Sequence, residues 1–202
     1  MKKIIACLLM IVSIEAQNVF ATNRNEFGVS YGVLTHNQVS EAVATVTTAV
    51  FSLGYATKVE NMYFSGSFNA HYVFRPVRFF GVGAVASYEF ADGDIVGQKM
   101  KCGTVKNSYM SIMPMVTFNW FDFKVVGMYS KLGLSYTYID SKYNYFEEMS
   151  DQIAYTETEK DHSVWFQFTP VAVEVGSPAI RGFAEFGFGC QGFVNLGLKY
   201  KF

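Results

Sequence analysis

What most constrains this chain is how its apolar residues are spaced. They alternate with polar or small residues in one stretch after another. Beyond the N-terminus they never gather into an uninterrupted run long enough for a membrane helix. Near residue 200 the alternation is unbroken: Val194, Leu196, Leu198, Tyr200 and Phe202 fall on one face, and Asn195, Gly197, Lys199 and Lys201 on the other. Period two is the period of a β-strand. Hydrophobic residues are 50% of the chain and aromatics 17%, with 20 Phe and 13 Tyr, against 16% charged. A chain that is apolar on average but nowhere continuously so has two ways to bury its strand faces. They can pack on one another in a soluble sandwich, or face lipid around a closed barrel with a polar interior.

The N-terminus bears on that choice. Met1-Lys2-Lys3 leads into an apolar stretch from Ile4 to Ile14, which reads as a secretory signal peptide, too short to span as a mature helix. Cleavage is expected after Ala21 rather than Ala16, beside which Glu15 sits. Residues 1–21 are then the signal and 22–202 a single exported barrel domain. Cys7 lies in the discarded core, too early to carry a lipid. The net charge of -1 offers no footprint for nucleic acid.

Eight strands are expected, at residues 26–35, 62–74, 78–90, 107–120, 124–139, 162–175, 180–189 and 195–202. In the first, Phe27, Val29, Tyr31 and Val33 face out, and Gly28, Ser30, Gly32 and Leu34 face in, where a narrow barrel has little space. In the second, Ser65, Ser67, Asn69 and His71 face in. Pro170 interrupts the sixth and marks a bulge or a weak ladder. Between the first two strands Val39, Val43, Val46, Val50 and Leu53 form a helical stripe, with Ser40 as N-cap and Gly54 as stop. Val and Thr abundance there favours a strand instead. A ninth strand would break the even count of bacterial single-chain barrels, so an outer loop carrying a short helix is expected.

Two further long loops are expected: 91–106, turning at Asp92-Gly93-Asp94, and the acidic 140–161, with Glu147, Glu148, Asp151, Glu157 and Glu159. Tight turns are expected at Arg75-Pro76-Val77, beside Trp120, Phe121 and Phe123, and at Gly176-Ser177-Pro178; a short one surrounds Cys190-Gln191-Gly192. Long loops on one side and tight turns on the other, with both chain ends periplasmic, is the barrel pattern. The fold class is therefore all-β: an eight-stranded antiparallel up-and-down transmembrane barrel.

Asn195, Gly197, Tyr200 and Phe202 resemble the C-terminal assembly signal of Gram-negative outer-membrane barrels. The whole-chain pattern resembles the small eight-stranded outer-membrane barrels of the OmpA/OmpX type. The stretch from Gly182 to Gly189 resembles the ends of such barrels in gut-type anaerobic Gram-negative bacteria. The resemblance is architectural and implies no catalytic residue. It implies as partners outer-membrane lipid and lipopolysaccharide, the barrel-assembly machinery, and an extracellular ligand or host surface.

An eight-stranded barrel leaves room for side chains and not for a wide pore. Lys131, Glu185, Lys199, Arg181 and Glu89 are expected inside, where charges must pair. The network should centre on Glu185 with Lys131 or Lys199, as packing or as an ion path. Small barrels of the resembled kind include lipid-A deacylases and acyltransferases, which use His, Ser and an acid near the outer rim. Here His36 and His162 map to that rim, but His162 and Ser163 are adjacent and so point to opposite faces. His71 maps near the periplasmic end. Cys102 and Cys190 fall in expected outer loops, as a disulfide or as two separate thiols. The acidic loop is a solvated surface or a collector of divalent cations, without the spacing of a calcium loop. No cofactor or metal motif is present. The function expected is structural or exercised through the outer loops: envelope integrity, adhesion, or host or ligand contact. The alternatives are a lipid-modifying enzyme and a narrow lipid carrier, the latter disfavoured by a polar lumen.

Overall fold

The computed structural model describes residues 24–40, 58–97, 100–146 and 153–202. The signal peptide, the stripe from Val43 to Leu53, Gly54, Glu147, Glu148 and Asp151 lie outside the described residues. Among the described residues nine strands run in chain order: β1 Asn25–Val33, β2 Lys58–Phe64, β3 Ser67–Val77, β4 Phe80–Gly97, β5 Met100–Asp122, β6 Val126–Phe146, β7 Ile153–Gly176, β8 Ile180–Phe188 and β9 Val194–Lys201. All pairings are antiparallel, and β1 pairs with both β3 and β9, so the sheet closes on itself. Closure removes the free edges within the ring.

The ring has eight staves because β2 and β3 are one bent stave; both pair with β4. The bend is at Ser65-Gly66, where Gly66 takes φ +77°, a left-handed value that a side chain would resist. Ser65 repairs the ladder there. Its Oγ accepts the Phe90 amide at 3.0 Å, its amide donates to Phe90 O at 2.9 Å, and its carbonyl accepts Tyr31 Oη.

The alternation sorts the side chains as expected. Phe27, Val29, Tyr31, Phe68, Tyr72, Val82, Leu132, Leu134, Phe168, Phe186, Leu196 and Leu198 make the outer wall. Ser67, Asn69, His71, Glu89, Lys131, Gln167, Thr169, Glu185 and Lys199 are buried inside. On the β3–β5 side the lumen is apolar, with Val73, Val85, Met113 and Met115 packed against Cys190. Leu34 corrects the expectation of an inward side chain. Its φ of 57° turns the chain out of the strand and leaves it 55% exposed.

Several boundaries also move. Residues 91–97 and 100–106 are not a loop but strand: Ala91↔Asn107, Asp92↔Lys106 and Asp94↔Thr104 continue the β4–β5 ladder, with Ala91, Ile95 and Val105 buried on its inner face. Residues 140–146 and 153–161 are likewise strand, running from Asp140↔Lys160 to Phe146↔Ile153. Arg75-Pro76-Val77 is not the turn. Pro76 sits in a register shift between Phe74 and Val77, and the chain turns at Arg78-Phe79. The helix begins earlier than Ser40: residues 36–40 are helical, and Thr35 Oγ1 accepts the Gln38 amide at 3.3 Å as the N-cap does.

The wall that results is uneven. Strands β4 to β7 continue far beyond the ends of β1 at Val33 and β8 at Phe188. They form a sheet that projects from one side of the barrel mouth.

Candidate functional site

Three carboxylates organise the lower lumen. Glu26 starts β1 on the same face as Gly28 and Ser30; Arg75 Nη2 meets it at 3.0 Å, Lys199 Nζ at 3.2 Å, and His71 Nε2 lies 3.6 Å away. Glu174, near the end of β7, takes Arg181 at 2.5 Å and Lys201 at 2.5 Å on one oxygen and Lys199 on the other. Asp122 takes Arg181 at 2.6 Å and Lys201 at 3.2 Å. Arg181 also donates to Phe123 O and Ser177 O, tying two tight turns together. Buried charges this closely shared replace the hydration they lost.

The middle lumen is built on Glu185. Lys131 Nζ donates to it at 2.5 Å, Tyr129 Oη at 2.7 Å and Asn195 Nδ2 at 2.7 Å. Lys131 also donates to Gln191 Oε1 at 2.5 Å, and the Gln191 amide donates to Gln167 Oε1 at 2.9 Å. The short β8–β9 loop is therefore no outward loop. Cys190 and Gln191 are buried, and the loop plugs the barrel under the helical turn, whose His36 amide donates to Gly189 O. The plug can come this close because Gly32 has no side chain; a Cβ there would lie 1.8 Å from Gln191 O.

Glu89 holds the mouth. It accepts Thr35 Oγ1 at 2.9 and 3.0 Å, Asn37 Nδ2 at 2.9 Å and Gln38 Nε2 at 2.9 Å, and makes no ion pair among the described residues. Its partners are neutral donors at the start of the helical turn, where a carboxylate also faces the positive end of the backbone dipoles. His36 stacks on Trp165, with ring centroids 5.2 Å apart and planes at 8°. Burial pushes its imidazole down to about 4.

Of the five expected interior charges, Glu185 and Lys131 meet each other, and Lys199 and Arg181 meet instead on Glu174. Glu89 stands apart near the mouth. Of the terminal residues singled out, Asn195 is in the Glu185 cluster, and Gly197 leaves room for Phe183 and Val29 O. Tyr200 and Phe202 stack on the outer wall at 5.5 Å. Sequence reasoning missed Glu26, Arg75, Glu174, Asp122 and Tyr129 as network members. Arg75 lies in the expected turn Arg75-Pro76-Val77, whereas it is part of β3. Glu174 was hidden by the bulge at Pro170: Gln167 and Thr169 face in, then Ala172 and Glu174 do, so the parity flips between them. Pro170 itself was the signal that could have exposed it.

No disulfide joins Cys102 and Cys190. Cys102 is exposed on β5, which is strand at that point, whereas Cys190 faces the lumen within the plug. His162 Nδ1 lies 2.8 Å from Tyr136 Oη, and its ring is flanked by Tyr136 and Tyr138. Neither it nor His36 is hydrogen-bonded to a serine among the described residues. No group of three potential metal-ligating side chains occurs among them either.

The projecting sheet has a different character. From Ile153 to His162 every residue of β7 is exposed, on both faces. Lys101 pairs with Asp94 at 2.8 Å, and with Asn61 it holds that exposed carboxyl below its ordinary value. Tyr145 and Tyr155 stack at 4.7 Å across the β6–β7 ladder.

No family model and no curated protein matches the chain. Among solved structures it is similar to Ail, the attachment invasion locus protein of Yersinia pestis. Identity is 14%, over 90% of this chain and 100% of that one, with a TM-score of 0.46. The architecture stands on the ladder registers themselves. A closed ring with an apolar wall and a charged, filled lumen suits a bilayer and not water. The protein is an eight-stranded antiparallel β-barrel with a lipid-facing outer wall.

Proposed function

We propose that this barrel acts at the outer face of the membrane through its projecting sheet, in adhesion or in contact with a host surface or ligand, while the ring serves as a sealed anchor. The observation that carries this is the contrast between a lumen occupied by side chains and β7 residues 153–162, exposed on both faces though held in a ladder. A conducting pore needs a water-filled path, and here Gln191, Lys131 and Met113 occupy the centre. A lipid-modifying enzyme needs a histidine poised on a nucleophile; His162 instead sits between two tyrosine rings.

Two measurements test the proposal. Cys102, exposed on the projecting sheet, is labelled on intact cells with an impermeant maleimide. The purified barrel, verified by its mobility shift on boiling, is then reconstituted in planar bilayers. Labelling without conductance is the expected result. Steady channel currents, or a Cys102 reachable only after the outer membrane is broken, would overturn it.

A further inference from the structure

The lipid-facing wall of the ring is not evenly packed. On β6 the outward residues are Met128, Ser130, Leu132, Leu134 and Tyr136, and among them only Ser130 is short. Both ladders slip beside it. The β5–β6 register shifts between Asn119 and Phe121, passing over Trp120, and the β6–β7 register shifts between Tyr129 and Lys131, passing over Ser130 itself. On β7 the extra residue leaves Pro170 and Val171 both exposed. A bulge leaves backbone groups off the ladder, and hydrocarbon offers them no partner. Here the Ser130 hydroxyl donates to Pro170 O at 2.6 Å and accepts the Trp120 indole N–H at 2.8 Å.

Those bonds hold Ser130 down against the wall while its neighbours stand tall. Val116, Leu132 and Phe168 are in register in one row, and Phe118 is directly across from Ser130 in the next. With Trp120 they surround a hollow of about 510 Å³, within the ~300–1,000 Å³ of small-molecule sites. Its height says which part of a lipid it meets. Ser130 lies four residues beyond the start of β6 at Val126, and so ~13 Å along the strand from the tight turn at ~3.3 Å per residue. A phospholipid with its headgroup at that turn brings an acyl chain, not its phosphate, to the hollow.

The turn supplies charge. Lys124 is exposed there. Arg78, from the β3–β4 turn, is held at the foot of β5: its Nη2 donates to Asp122 O at 2.8 Å, and its carbonyl accepts Asn119 Nδ2 at 3.1 Å. The Asp122 carboxylate is taken by Arg181 and Lys201 in the lumen. Neither Lys124 nor Arg78 is in an ion pair among the described residues. Two cations at the rim beside an apolar hollow complement an anionic headgroup above an acyl chain.

We infer that the hollow around Ser130 seats one acyl chain of an anionic phospholipid from the leaflet on the tight-turn side, its headgroup held by Lys124 and Arg78. The site belongs to the ring and does not depend on the reading of the projecting sheet.

The test uses the full chain with Trp165→Phe, so that Trp120 is the single tryptophan, refolded into phosphatidylcholine bilayers and verified by its mobility shift on boiling. Phosphatidylglycerol or phosphatidylcholine with a brominated acyl chain is added in increasing amounts, and quenching of Trp120 fluorescence is read. The brominated phosphatidylglycerol should quench at about fivefold lower mole fraction, and the preference should weaken as salt is raised. Lys124→Gln should lose most of it. Ser130→Leu should abolish it by filling the hollow, and Ser130→Ala, which leaves the hollow open, should keep it. Val116→Phe fills the same space from β5 without touching the Ser130 hydrogen bonds, and decides the matter if Ser130→Leu does not fold. Equal quenching by the two lipids would overturn the inference. So would a preference that survives the filled hollow, which would be charge attraction at the rim without a seat. Quenching by neither lipid would also overturn it, and would leave the hollow to a second copy of the chain.

Discussion

The lower lumen and the projecting sheet carry similar chemistry under opposite conditions. Glu26, Glu174 and Asp122 lie inside, and Arg75, Arg181, Lys199 and Lys201 all reach them. Glu157, Glu159 and Asp161 lie in solvent and form no ion pair among the described residues. Burial forces the first set to find partners, because an unpaired charge out of water costs several kcal/mol. Water relieves the second set of that need. An acid in the lumen is thus a structural commitment, and an acid on the sheet is available to something else.

The largest effect is expected from Glu174→Ala. It would leave Lys199, Lys201 and Arg181 facing one another around a vacated centre. A loss of roughly 3–5 kcal/mol is expected, seen in urea unfolding from detergent or as a lower temperature of gel-mobility conversion. Glu185→Gln keeps an acceptor for Tyr129 and Lys131 but removes the charge. It should cost about 1–3 kcal/mol by the same assay, and full stability would sink the structural role given to that cluster.

His36 gives a smaller effect, confined to the mouth. Its folded imidazole resists protonation down to about 4, against an ordinary value of 6.5. Between those values the unfolded state binds more protons, so stability rises with pH across the window. The contribution is complete above about 6.5 and is lost as pH falls towards 4. Trp165 fluorescence should report this loosening, and His36→Gln should flatten the profile. The smallest effect belongs to the outer acids. Neutralising Glu157 and Glu159 should change stability by no more than about 0.5 kcal/mol. A larger loss would erase the distinction between the two regions.

Most of the ring was legible because strand faces follow parity, and parity survives wherever the ladder is regular. Phe27, Val29 and Tyr31 outside, and Ser67, Asn69 and His71 inside, needed nothing more. What failed was local. The stretches 91–106 and 140–161 looked like loops because their charges are dense, yet Asp92, Asp94 and Lys106 sit on the exposed face of strands whose other face holds Ala91, Ile95 and Val105. Polarity marked exposure and was mistaken for irregularity. Glu174 was lost to a parity flip at Pro170, and Leu34 to a single positive φ. The Glu185–Lys131 contact lay within reach of sequence because both residues are mid-strand. The Gln191 plug did not, since nothing in Cys190-Gln191-Gly192 says that a short turn dips inward.

The β9 strand has a consequence for manufacture. It follows all the other strands in synthesis, and it carries Asn195, Lys199 and Lys201, which serve Glu185, Glu26, Glu174 and Asp122. Until it docks, carboxylates from four earlier strands or their ends lack these partners, and a half-built ring stays too polar inside to settle. Ring closure and the arrival of the last two cations, Lys199 and Lys201, are then one event. A chain truncated before β9 should therefore remain a substrate for proteolysis rather than accumulate as a leaky, nearly finished barrel.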